Sequence, residues 1–489
     1  MAVDRRDEEL VIDAETDAVD RFRTSLVRRL GLQFDETRRG FLDEVLGRRA
    51  GACKQGVAEY LLRLESGTAT KGELRKLAEE LTIGETYFFR NIEQFRAFEE
   101  VVLPARMAAR DGSRTLRILS AGCASGEEPY SLAMSVRQSL PPTAGWNVEV
   151  RAIDINSAFL ERARRGRYTA WSMRQTPADA QARWFRTAGR EHVLVDEITA
   201  MVRFSEGNLV EHDRALWSDE IYDVVFCRNV LMYFSPEQAR AVVERLAAAL
   251  VPGGFLFLGH AESLRGLSAQ FHLHHTHETF YYERKHPDDA RAEGTATVSD
   301  RHGGAAPLVE LVDSADSWVD AIRDAAQRIR TLVDDRTAPA IPDAPAVGRA
   351  ERIAAALDML GRERYGDALA VMDALPTSAS VDPEVLLLRA VLLTHSGRLS
   401  EAEAVGRALL AVDELNAGAH YLLALCSEGG GDPGRAQEHD QVATYLDGGF
   451  AMPRLHLGLL ARRRGDREAA RRELGRALVL LQREDPARL

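Results

Sequence analysis

The chain has 489 residues, 45% of them aliphatic or aromatic and 28% charged, which describes a globular protein too long for one ordinary domain. Its net charge of −12 at pH 7 argues against a nucleic-acid binder, because that kind of affinity rests on neutralising phosphates. The four cysteines, Cys53, Cys123, Cys227 and Cys426, form no C-x-x-C pair, so no zinc site or disulfide framework is expected; they read as buried thiols in a reducing compartment. The acidic amino-terminal stretch lacks the apolar centre of a secretory signal, and no apolar run approaches the roughly 18 residues that span a bilayer, so a cytoplasmic protein is expected.

In chain order, residues 1–18 read as a disordered tail. From 19 to 100 the apolar residues recur at helical spacing (Phe22, Leu26, Leu30; Val57, Tyr60, Leu61, Leu64; Leu74, Leu77, Leu81), which predicts an N-terminal domain of three or four helices. The pairs Arg28/Arg29, Arg38/Arg39 and Arg48/Arg49 read either as a basic face for an acidic partner or as ordinary solvated surface. Near its end, Phe88 and Phe89 stand beside Arg90, where the chain passes into a strand-bearing region. A cleft at this junction is one reading, and aromatic core with a solvated arginine is the other.

Leu116, Ile118 and Leu119 predict a strand, Gly122 and Gly126 a turn, and Glu127, Glu128 and Pro129 the opening of a helix. A side chain at Gly122 would occupy the space a ligand needs, yet G-x-x-x-G is not the dinucleotide fingerprint. Two carboxylates at this helix start would repel a pyrophosphate and favour a ligand with hydroxyls, an amine or a positive charge. S-adenosylmethionine carries all three. The alternative is that Glu127 and Glu128 merely complement the helix dipole.

The next strand, 148–155, ends near Asp154, a carboxylate placed to accept ribose hydroxyls. A β-hairpin is predicted between 192–197 and 200–205, an insertion spanning about 189–205, followed by Asn208 and Leu209. The strand 222–227 leads into Asn229, Val230 and Tyr233. A helix over 236–250, a Pro-Gly-Gly turn and strands at 255–258 and 279–283 complete an open, mostly parallel α/β sheet within 101–285. Gly122, Asp154, Asn208 and Asn229 all fall at carboxyl ends of strands, where such sheets bind ligands.

From 286 to 348 the chain turns to Pro, Asp, Ala and Gly and reads as a linker, with a helical island at 317–333 around Trp318. From 349 to 489, Ala368, Ala402, Ala436 and Ala470 recur with a period of 34 residues. Small residues precede each (Ala356, Ala390, Ala424, Gly458), and Gly397, Gly431 and Gly465 mark turns. This is the tetratricopeptide pattern of an all-α solenoid that binds a peptide or helix, with an irregular helical bundle as the alternative. Pro433 and Gly434 are expected to strain the second turn.

The motifs SAGCASGEEPYSLA, TYFFRN, FSEGNL, FCRNVLMYF and LVPGGFLFLGHAES together resemble the CheR-type chemotaxis receptor methyltransferases over Arg21 to Arg284. The resemblance implies a Rossmann-like class I methyltransferase domain, an N-terminal helical domain and a small β-subdomain. It also implies transfer of a methyl group from S-adenosylmethionine to glutamates of a chemoreceptor's cytoplasmic domain. Cofactor positions carried over are Thr86, Arg90, Glu128, Asp154, Asn208, Leu209, Asn229 and Val230, beside Gly122 from the turn itself. Arg90 and Tyr233 match residues near the acceptor carboxylate, and no metal is implied. Gly84 stands where relatives can have Asn, which puts one cofactor contact in doubt; the short insertion argues against tethering by a receptor's terminal pentapeptide.

The chemistry is self-consistent. A glutamate, with a reference pKa of about 4.3, is already ionised near neutrality, so methylation needs alignment and water exclusion rather than a base. His260 accordingly reads as a structural residue at a strand end. A soluble enzyme recruited to membrane receptor arrays is expected, with an unidentified protein partner for the repeats, no nucleic acid and no membrane insertion. A scaffold that only senses S-adenosylmethionine and a small-molecule carboxyl methyltransferase are the alternatives.

Overall fold

The computed structural model describes residues 18–140, 145–211, 217–287, 349–362, 364–375 and 382–483. The expected tail before residue 18 and the helical island at 317–333 lie outside the described residues. The chain divides into two units, Met1–Pro287 and Asp288–Leu489.

The first unit opens with four helices, α1 (18–30), α2 (Arg39–Ala52), α3 (Val57–Ser66) and α4 (Lys71–Leu81). Their apolar stripes meet in one core that includes Phe22, Leu26, Leu46, Tyr60, Leu64 and Leu77, and the Thr70 side chain caps α4 by accepting the Glu73 N–H. The arginine pairs staple these helices together. Arg28 and Arg29 donate to the carbonyl of Glu65, Arg39 pairs with Asp20, and Arg49 binds Glu73 at 2.6 Å while Arg48 binds Glu80. Arg38 is exposed and the Arg48 side chain is 56% exposed, so solvated surface still describes part of the set.

Helix α5 (Ile92–Ala97), a π-helical turn (Phe98–Val102) and α6 (Leu103–Ala109) lead to the main sheet. Its strands are β1 (Thr115–Ala121), β2 (Asn147–Asp154), β6 (Val202–Glu206), β7 (Tyr222–Cys227), β8 (Leu250–Leu258), β9 (Phe271–Thr276) and β10 (Thr279–Arg284), in the order β6-β2-β1-β7-β8-β10-β9. The first five are parallel and the last two antiparallel. Among the helices packed on it, α7 (Glu127–Ser139) follows β1, α8 (Ser157–Arg165) follows β2 and the helix Pro236–Ala249 precedes β8. This is the doubly wound α/β arrangement expected.

Several details correct the sequence reading. The predicted hairpin between 192–197 and 200–205 does not form. Instead β3 (Arg167–Thr169), β4 (Phe185–Ala188) and β5 (Glu191–Leu194) make a separate antiparallel sheet of order β3-β5-β4, in which β4 and β5 turn at Gly189 (φ +65°). Residues Asp196–Thr199 are helical, and β6 lies parallel to β2, pairing Glu206 with Asp154. Alternating apolar residues mark a strand without naming its partner, so the nearest neighbour in sequence was the wrong choice. Strand β9, rich in histidine, gave too weak an apolar pattern to be seen. Strand β8 begins at Leu250 and runs through Pro252-Gly253-Gly254 with a register shift, where a turn was expected. Cys123, Cys227 and Cys426 are buried as expected, whereas Cys53 is half-buried.

The second unit consists of helix pairs: Arg349–Gly361 with Tyr365–Asp373, Pro383–His395 with Leu399–Val412, Ala417–Gly429 with Pro433–Leu446, and Ala451–Arg463 with Arg467–Arg483. Ala356, Ala368, Ala390, Ala402, Ala424 and Ala436 are fully buried where the helices cross, and a Cβ on Gly458 would lie 2.7 Å from Leu474 Cγ. Pro433 causes no strain. It occupies the first turn of its helix, where no N–H is needed, and Asp432 caps that helix through the Arg435 N–H.

Candidate functional site

Two adjoining cavities lie beyond the carboxyl ends of β1, β2, β6 and β7. The first is walled by Leu30, Phe34, Ile83, Asp154, Phe159 and Asn208, among others, and the second by Thr86, Tyr87, Arg90, Glu128, Arg228 and His260. They share Ile83, Gly122, Ala124, Asn229 and Tyr233. All ten residues singled out from the sequence, Thr86, Arg90, Gly122, Glu128, Asp154, Asn208, Leu209, Asn229, Val230 and Tyr233, line one or both.

The acids differ in what holds them. Asp154, at the end of β2, accepts the Ala124 N–H on one oxygen and the Asn156 N–H on the other, each at 2.8 Å. Burial raises its pKa and these N–H groups oppose the rise; each oxygen keeps a further lone pair for a ligand hydroxyl. Glu128 accepts from Ser120 Oγ at 2.7 Å and faces Arg228 at 3.4 Å, so burial raises its pKa and the guanidinium works against it. Its neighbour Glu127 lines neither cavity. It is 1% exposed and ties Ser125 and Ser172 together at 2.7 and 3.0 Å. The acidic pair thus splits into one cavity residue and one internal fastener, both in the first turn of α7.

Phe88 and Phe89 are buried while Arg90 stays half-exposed on the second cavity, so both readings of that junction hold in part. Phe89, Asn91 and Asn229 all adopt left-handed backbone (φ +55°, +60° and +57°), a concentration of strain that survives only where surroundings enforce it. Arg228 is one enforcer. Buried to 6% exposure, it donates to the Arg90 carbonyl and to Asn91 Oδ1 at 2.7 Å, which ties the 85–91 segment to the end of β7. Glu262 is the other: its carboxylate accepts the N–H groups of Asn229 (2.6 Å), Val230 (2.8 Å), Met232 (3.3 Å) and Gly259 (2.8 Å). Neither was singled out from the sequence. The available signal was charge in stretches otherwise apolar, at two strand ends.

Three expectations change. A Cβ on Gly122 (φ +79°) would meet Val230 Cγ2 at 2.4 Å, so the glycine admits Val230 before it admits any ligand. At Gly84 a Cβ would lie 2.3 Å from the Phe159 ring, which therefore takes the space an asparagine side chain would use. His260, read as a structural residue, is exposed on the second cavity. The helical domain completes the first cavity, because Gln33 N–H donates to the Tyr233 carbonyl at 2.7 Å, Leu32 bridges to Phe234, and Asn208 Nδ2 reaches the Leu30 carbonyl at 3.5 Å.

Residues 84–280 match the family described as CheR methyltransferase, SAM binding domain. "Chemotaxis protein methyltransferase 2" of Vibrio cholerae serotype O1 is 34% identical over 282 residues, 96% of that protein and 56% of this chain. The chain belongs to the CheR methyltransferase family. A second CheR relative, "Probable biofilm formation methyltransferase WspC" of Pseudomonas aeruginosa, is 30% identical over 461 residues, 94% of this chain and 98% of its own, so the likeness runs on through the helical pairs. This CheR enzyme is an S-adenosylmethionine-dependent methyltransferase. The site suits that cofactor: the first cavity offers an apolar wall for a base and a carboxylate with spare lone pairs for a ribose. Among the described residues no helix is long and apolar enough to cross a membrane, and no group of three or more metal-ligating side chains is found.

Proposed function

We propose that this CheR enzyme methylates glutamate side chains on the cytoplasmic domain of a chemoreceptor, and that its helical repeats bind a peptide or helix that recruits it to membrane receptor arrays. The observation that carries the reading is Arg90, a cation on a cavity that adjoins the one beside Asp154 through a common wall at Gly122, Asn229 and Tyr233. In this assignment Asp154 receives the ribose hydroxyls, Asn208, Leu209, Asn229 and Val230 surround the adenosine, and Thr86, Arg90 and Glu128 hold the amino-acid end. When bound, S-adenosylmethionine supplies an electrophilic methyl group. Arg90 and Tyr233 orient the acceptor carboxylate, which is ionised without help from a base. The helical cover from α1 and the Leu32–Phe34 segment shields the first cavity, where the cofactor would sit, from water.

Residues 19–100 and 101–285 act together in this reading, since the cavity wall draws on both, and 349–489 is a separate binding module. Incubation of the full chain with methyl-labelled S-adenosylmethionine and a receptor cytoplasmic fragment tests it. Base-labile label on receptor glutamates is the expected result. Label on small carboxylic acids alone, or none at all, would replace it with one of the two alternatives.

A further inference from the structure

Among the described residues of the first unit, three of the five large apolar side chains left exposed gather around one opening: Ile83 (53% exposed), Met232 (61%) and Trp171 (69%). Ile83 and Met232 line the Arg90 cavity directly. Trp171 joins them through Arg174, whose guanidinium stacks on the Trp171 ring at 4.4 Å and on the Tyr87 ring at 3.7 Å; Tyr87 is itself a wall of that cavity. An indole exposed to this degree contributes little to folding, and a cation–π stack across two loops costs side-chain entropy that something should repay.

The loop that presents Trp171 is held firmly. Its neighbours Ser172 and Met173 are both 4% exposed, Ser172 Oγ donates to Glu127 at 3.0 Å, and the Ser172 carbonyl accepts the Phe88 N–H at 3.0 Å. Arg174 donates to the Trp171 carbonyl at 2.8 Å. The loop is thus bound to the same 85–91 segment that carries Arg90. Tryptophan, tyrosine and arginine on a preorganised backbone are the side chains that dominate protein–protein binding energy, because little freedom remains to be lost on contact.

We infer that Trp171, Arg174, Tyr87 and Met232 form the docking rim for the acceptor protein. The inference rests on the proposed protein acceptor, and a physical necessity supports it: a glutamate side chain can enter the Arg90 cavity, but the chain that bears it must lie across the rim. The occupant is an acidic, amphipathic segment flanking the methylated residue, with an apolar side chain against Trp171 and Met232 and a second carboxylate for Arg174. Arg174 can accept that carboxylate cheaply. Its present partner, Glu85, lies 3.8 Å away and its side chain is 71% exposed, so the ion pair given up is weak.

The test is steady-state methylation of a receptor cytoplasmic fragment by the full chain at saturating S-adenosylmethionine. Trp171→Ala should raise KM for the fragment about tenfold, the size of effect of a mid-range interface anchor, while kcat stays within about twofold. Affinity for S-adenosylhomocysteine and the melting temperature should not move, and Trp171→Phe should recover most of the loss. An unchanged KM in Trp171→Ala beside an active wild type overturns the rim and leaves the receptor assignment standing. A fall in kcat at constant KM also overturns it, since that would make Trp171 part of the catalytic geometry. A wild type that methylates only small acids removes both.

Discussion

Glycine does two kinds of work, one at the methyltransferase cavity and the other at the turns of the repeats. In the methyltransferase unit Gly122 and Gly259 are pressed by atoms from distant parts of the chain: a Cβ would lie 2.4 Å from Val230 Cγ2 in the first case and 2.8 Å from Asn229 Nδ2 in the second. In the repeats Gly397, Gly431 and Gly465 have φ of +71° to +82° with nothing within 4 Å of the missing Cβ. The first kind serves a long-range fit and the second a local turn. The same contrast runs through the polar groups. Glu262, Arg228 and Asp154 hold backbone from other segments at the cavity, whereas Asp382, Asn416 and Asp432 cap the helices they begin. One unit is assembled by contacts distant in sequence and the other by contacts nearby, so damage should spread in the first and stay put in the second.

The largest expected effect belongs to Arg90→Ala. If this guanidinium orients the acceptor, turnover should fall at least about a hundredfold while the melting temperature barely changes. A variant that keeps its rate per folded molecule would make Arg90 ordinary cleft lining.

Gly122→Ala and Gly397→Ala compare the two kinds of glycine directly. The first meets both left-handed backbone and a clash with Val230, and should cost about 2–4 kcal/mol in a denaturant melt and lose cofactor affinity. The second meets only the backbone term, about 1 kcal/mol, and should methylate normally. Equal costs would erase the distinction.

Glu262→Gln comes next. The amide retains one acceptor oxygen but sets an NH2 group against N–H donors, so the 229–232 turn should loosen and S-adenosylhomocysteine affinity drop about tenfold by calorimetry. An unchanged affinity would show that the left-handed turn at Asn229 holds itself.

The repeats have one buried charged cluster with a pH signature. Burial pushes the pKa of His456 down, but Asp440 at 2.7 Å and Glu428 at 2.8 Å outweigh it and raise it to about 9. A raised folded pKa contributes stability that is complete below the unfolded value, about 6.5, and vanishes as pH climbs through about 9. His420 and His439 run the other way. Burial lowers both to about 4, so their contribution is complete above about 6.5 and lost as pH falls toward 4. Melting of the full chain should therefore show a repeat transition most stable near about pH 6.5, where both contributions are whole, and weaker on either side. His456→Gln should flatten its alkaline side; an unaltered alkaline limb would remove His456 as the cause.

The smallest effect is expected from deleting 349–489. Stacked repeats bury their faces mainly on one another, so residues 1–300 should stay soluble and bind S-adenosylmethionine within about twofold of the full chain. Only receptor choice or its control should change. An insoluble fragment would mean that the repeats belong to the enzyme's own core.

Local periodicity was enough to read the repeats, because each alanine crossing and each glycine turn is decided within one helix pair of 34 residues. The strand–turn–helix at 115–139 and the strand-end positions of Asp154, Asn208 and Asn229 were legible for a similar reason: hydrophobic period and the punctuation of glycine and proline act over a few residues. Tertiary structure alone decided the rest. A period of two could not say that β6 pairs with β2 and β5 with β4, nor that Phe159 fills the space beside Gly84. Glu127 and Glu128 are identical neighbours in sequence, and only their surroundings, serines on one side and a cavity with Arg228 on the other, separate a fastener from a site residue. Glu262 and Arg228 stayed hidden because what they do is defined by backbone groups that folding brings to them, and burial of a charge is invisible until its partners are in place.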